Sequence, residues 1–117
     1  MTKKDMKGNG QKIPDLPKFS PDKLDQALAI AEDLLTRAQI PFFVLGDTLK
    51  GVLSECLSGD LIELGIRQRY LTRDTLGMLK LVRQDLEFYD DRIEFEYDGV
   101  PIQILIIKRD FKCLNNP

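Results

Sequence analysis

The chain has 117 residues, 43% of them hydrophobic and 31% charged, with a formal net charge of −2 and neither histidine nor tryptophan. That length suits one domain, and without imidazole there is no Ser-His-Asp or Cys-His nucleophile and no histidine zinc centre. The two cysteines, Cys56 and Cys113, are too few for a cysteine zinc site and too far apart for a Cys-x-x-Cys pair.

Residues 1–19 hold glycines and prolines without apolar periodicity, and are expected to form a flexible leader. Ser20-Pro21 opens a helix, with serine as N-cap, proline at the first helical position and Asp22 and Asp25 near the positive end of the dipole. Leu24, Ala27, Leu28, Ala31, Leu34, Leu35 and Ala38 recur at three-and-four spacing and predict one apolar stripe. Ile40-Pro41 ends the helix, because proline disfavours the helical conformation in the residue before it.

Phe42-Phe43-Val44-Leu45 predicts a buried strand stopping at Gly46. Asp47 and Thr48 are placed to cap a short helix from Leu49 to about Leu57, which would bury Cys56 as a small apolar residue. Ser58-Gly59-Asp60 reads as a turn, and Leu61 to Ile66 as a second strand whose direction relative to the first is left open by the short connection. Thr72 or Asp74 caps a third helix carrying Leu76, Leu79, Leu81 and Val82. Arg92 to Tyr97 alternates apolar and charged, Asp98-Gly99 signals a two-residue hairpin, and Val100 to Ile107 returns as a nearly all-apolar strand. Phe42, Phe43, Ile104, Leu105 and Ile106 are expected in the core.

The order predicts an α+β (mixed α/β) fold: a small sheet of about four strands, ending in an antiparallel hairpin and flanked by helices. The domain would span residues 20–112, with a tail at 113–117 in which Cys113 is an exposed thiol. Lysines near the start accompany no apolar signal segment, and no apolar run approaches the roughly 20 residues of a membrane span. With so little cysteine, the expected location is a reducing cytoplasm.

Charge is arranged in blocks. Arg67, Arg69, Arg73, Lys80 and Arg83 make residues 66–83 basic, whereas Asp85, Glu87, Asp90, Asp91, Glu94, Glu96 and Asp98 make residues 85–98 acidic. A basic block with Tyr70 beside Arg67 and Arg69 could hold phosphate and stack a base. Glu94 and Glu96 alternate with apolar residues as the wet face of an outer hairpin, or as a partner surface or cation site with Asp98.

The most specific local feature is Leu45-Gly46-Asp47-Thr48-Leu49-Lys50-Gly51, a strand that ends in glycine and turns directly into a helix. Glycine allows close approach of a ligand, and helix N-terminal amides bind phosphate. A strand with an internal carboxylate, Asp60-Leu61-Ile62-Glu63-Leu64-Gly65-Ile66, follows after a short connection. Strand, glycine turn, helix and carboxylate strand is the layout of a metal-dependent nucleotidyl transfer site, in which carboxylates hold divalent ions for in-line displacement.

In these residues the chain resembles the polymerase-beta-like nucleotidyltransferase superfamily, with LicD-type phosphocholine transferases and small uncharacterised nucleotidyltransferase-like domains nearest. The resemblance runs from Ile40 to about Ile107. It puts GDTLKG on the glycine turn and helix start, DLIELGI on the Asp-x-Asp strand, and VPIQILII on the strand of the third carboxylate. The departures lie in the metal ligands. Leu61 falls on the first carboxylate, Glu63 on the second and Gln103 on the third. Asp60 adjoins them, but strand parity turns it away. Asp47 places an anion where a triphosphate is expected.

The resemblance therefore implies a divergent, minimal nucleotidyltransferase-fold protein acting as a non-catalytic binding or regulatory module. Gly46, Asp47, Thr48 and Lys50 would retain some affinity for a nucleoside triphosphate. The enzymatic alternative is a transferase dependent on magnesium or manganese, with Glu63 as metal ligand and catalytic carboxylate alongside Asp47 and Asp60. A further alternative is nucleic-acid binding through Arg67, Arg69 and Arg73. No room is expected within 117 residues for the helical substrate domain common in active relatives, and the resemblance then implies a protein partner or a homodimer. The pairing of small nucleotidyltransferase-like antitoxins with a helical toxin is one such arrangement.

Overall fold

The computed structural model describes residues 18–108. The predicted leader up to residue 17, the predicted tail and Cys113 lie outside the described residues. Helix α1 spans Pro21–Arg37, with the Ser20 side chain accepting a hydrogen bond from the Lys23 N–H at 3.1 Å. Phe19, just before the cap, packs against the core. The helix ends before proline acts on it: Gln39 takes a left-handed φ of 60°, its N–H bonds the Thr36 carbonyl, and the Ile40 N–H bonds the Leu35 carbonyl. That pair of bonds is a Schellman motif.

Strand β1 is Phe42–Val44 and helix α2 is Gly46–Ser54. The helix thus begins three residues before the predicted Leu49, and neither Asp47 nor Thr48 stands at its N-cap. Leu45 stands at the N-cap without a side-chain bond, and Gly46, at φ +57°, turns the chain straight into the helix. Helix α2 stops at Ser54 because Glu55 is left-handed, which leaves Cys56 exposed rather than buried. Strand β2 is Ile62–Arg67, and a 3-10 turn at Gln68–Tyr70 leads to α3, Arg73–Val82, capped by a Thr72–Thr75 capping box. Strand β3 is Glu87–Phe88, β4 is Arg92–Tyr97 and β5 is Val100–Ile107. The β4–β5 hairpin turns on Asp98 and Gly99, both at positive φ, as a type I′ turn demands.

The five strands form one mixed sheet in the order β1-β2-β5-β4-β3. β1 and β2 are antiparallel, β2 and β5 parallel, and the remaining pairs antiparallel. The expectation of about four strands missed only β3, two residues at an edge. Strand parity sorts the side chains. Ile62, Leu64, Ile66, Ile93, Phe95, Ile102 and Ile104 are buried on the face that packs with Leu24, Ala27, Leu28, Ala31, Leu34 and Leu35 of α1 and Leu79 of α3. Phe42 and Ile106 join that side, but Phe43 and Leu105 occupy the opposite face and are only half-buried, a correction to their expected place in the core. Among the described residues no helix is long and apolar enough to cross a membrane.

Candidate functional site

The Gly46 turn and strand β2 meet through three contacts. The Leu45 N–H bonds the Glu63 carbonyl at 3.1 Å, which carries the β1–β2 ladder to the turn. The Glu63 N–H in turn donates to Thr48 Oγ1 at 2.9 Å, and Thr48 is 1% exposed. Finally, the Glu63 carboxylate lies directly over Gly46, so that a β-carbon there would run into Glu63 Oε1. Gly46 is thus favoured by its positive φ, while the carboxylate above it, the free end of a flexible side chain, would have to move aside for any β-carbon there. Asp47 and Lys50 sit outside this junction, both well exposed, with Lys50 Nζ 3.9 Å from Asp47 Oδ1.

Glu63 pairs in register with Gln103, Gln103 with Glu94, and Glu94 with Glu87, a row across four strands. Gln103 Nε2 donates to Glu94 Oε2 at 3.2 Å, and Arg92 reaches the same oxygen while its other arm holds Asp91. The Arg92 guanidinium, and then the Gln103 amide, hold the Glu94 carboxyl below the usual carboxylate range. Neutral Gln103 is thereby tied to Glu94, on the strand position that the family resemblance gives to a third metal carboxylate.

Asp60, Leu61, Gln103, Glu94 and Lys18 line an open cavity of about 280 Å³ at the end of the sheet. Asp60 therefore meets Gln103 and Glu94 in one depression, whereas Glu63 lines no part of it and leans toward Gly46. Among the described residues no group of three or more cysteine, aspartate or glutamate side chains is arranged to hold a metal ion. Arg67, Arg69 and Arg73 stand on three different elements: the end of β2, the 3-10 turn and the first turn of α3. The Arg69 guanidinium lies over the Tyr70 ring, 5.2 Å from its centroid.

Two features of the site escape the sequence. Thr48, expected as a cap, is instead a buried tie between α2 and β2, and its one signal is its place just after the glycine turn. Glu94 stands out in the sequence only through strand alternation, and its bond to Gln103 depends on the pairing of β4 with β5.

No family model and no curated protein matches this sequence. The structure is similar to the crystal structure of an antigenic nucleotidyltransferase-like protein from Paracoccidioides brasiliensis, with a TM-score of 0.48 and 17% sequence identity. The match covers 86% of this chain and 51% of the other, so the chain spans about half the length of that protein.

Proposed function

We propose that this chain is a divergent nucleotidyltransferase-fold domain that works as a non-catalytic binding or regulatory module. The reading rests on the Gly46 junction. The space above the glycine, where a phosphate would approach the first amides of α2, is filled by the Glu63 carboxylate. Leu61 and Gln103 supply no charge at the flanking positions, and hard divalent cations need several oxygen ligands, carboxylates above all. Residual nucleotide affinity would be weak and would require Glu63 to swing away. The enzymatic alternative draws on one observation, the shared cavity of Asp60 and Glu94, but Glu94 is already engaged by Arg92 and Gln103.

A thermal-shift series with nucleoside triphosphates, with and without magnesium or manganese, tests this reading. The expected result is no metal-dependent stabilisation. A shift that needs the metal and disappears in Glu63→Ala would overturn it in favour of the transferase.

A further inference from the structure

The sheet face turned away from α1 and α3 is built in rows. Phe43, Gly65, Leu105 and Arg92 lie side by side across β1, β2, β5 and β4. The neighbouring row holds Glu63, Gln103, Glu94 and Glu87. Phe43 and Leu45 close over Gly65, which makes the apolar row low and flat. Ile107 and Arg67 form the row beyond it, and Glu96 shares this face with Glu94 by alternation along β4. Arg92, amid the acids, is already shared between Glu94 and Asp91. The face thus joins an apolar strip to an acidic border on one side, with Arg67 on the other.

We infer that this face docks a partner polypeptide bearing an apolar stripe with lysine and arginine along the side that meets the carboxylate row, laid along β2 and β5. The apolar strip offers area to bury, and the carboxylates select the sign of the flanking charges. A second copy of the chain is the poorer occupant, because a two-fold interface through this face would bring its own acidic row near the partner's. The inference deepens the module reading proposed above and rests on it.

The probe is a fluorescein-labelled 18-residue Leu–Lys peptide with leucine at helical i, i+3, i+4 spacing, titrated against the full chain by anisotropy. Leu–Glu and Ser–Lys peptides of the same pattern serve as controls. The Leu–Lys peptide is expected to bind and the two controls to bind at least tenfold more weakly. Leu105→Lys, and separately Glu87→Lys with Glu96→Lys, should each weaken binding at least tenfold while the circular dichroism spectrum is unchanged. Equal binding of the Ser–Lys peptide, or no effect of Leu105→Lys, overturns the proposal. So does sedimentation showing a dimer that Leu105→Lys dissociates, since the face then belongs to a second copy. Failure here leaves the nucleotide test untouched, and metal-dependent nucleotide stabilisation removes the module reading whatever the peptide does.

Discussion

At the scale of single residues, the junction between α2 and β2 depends on Thr48. Its hydroxyl accepts the Glu63 N–H in a site that is 1% exposed, so removing the oxygen strands a buried donor. Thr48→Val keeps the shape and loses the acceptor, and should cost about 1–3 kcal/mol in chemical denaturation. Thr48→Ser keeps the acceptor and should cost less. Glu94 offers a second, pH-dependent check. Its carboxyl sits below the ordinary value because Arg92 and then Gln103 bond the ionised form. The stabilisation it brings is therefore complete above the unfolded-state pKa and is lost as pH falls through the lower folded value. Arg92→Met should move the Glu94 titration upward toward the ordinary range, read by NMR of the side-chain carboxyl carbon. From the sequence, Gly46 and Glu63 were visible as a turn and a strand carboxylate. That the second lies on the first was not, because a side chain's lean depends on what packs beside it rather than on its spacing along the chain.

The elements were legible where a local signal marks both ends. Ser20-Pro21 sets the start of α1, and the Asp98-Gly99 turn fixes the register of Tyr97 with Val100. Helix α2 starts three residues before the expected Leu49 because Leu45 at its N-cap supplies no side-chain bond, and a capping side chain is the residue-type signal of a helix start. Strand β3 is two residues long, too short for alternation to register, and it exists because β4 offers an edge to pair with. At the C-terminus of α1 the marker usually sought, glycine, is replaced by Gln39 at φ 60°. A side chain with a β-carbon is strained in that region by about 1–2 kcal/mol. Gln39→Gly should relieve the strain and, after the loss of chain entropy on ordering glycine, raise the unfolding free energy by about 1 kcal/mol. Urea denaturation followed by far-UV circular dichroism measures it, and an unchanged midpoint would mean that the entropy lost on ordering glycine cancels the relieved strain.

Across the whole molecule, the sheet has a filled face and an open one, and this asymmetry connects the fold to the proposed function. Apolar composition alone assigned Phe43 and Leu105 to the core, since an all-apolar strand reads as buried on both sides. The structure instead gives β5 a buried column at Ile102 and Ile104 and a half-buried one at Gln103 and Leu105. Two truncations of adjacent residues test this division with little difference in side-chain size. Ile104 is 0% exposed and lies between Leu64 and Ile93, so Ile104→Ala leaves a cavity and should cost about 2–5 kcal/mol. Leu105 lies one residue along on the open face, where solvent can fill the space it vacates, and Leu105→Ala should cost about 1 kcal/mol or less. Denaturant melts of the two variants, compared at equal slope, give the difference directly. Equal losses would mean that both faces of the sheet are packed, and an open docking face would then not exist. A large loss at Ile104 alone leaves Leu105 free of a structural duty, so that its substitution in the peptide titration reports on binding rather than on the fold.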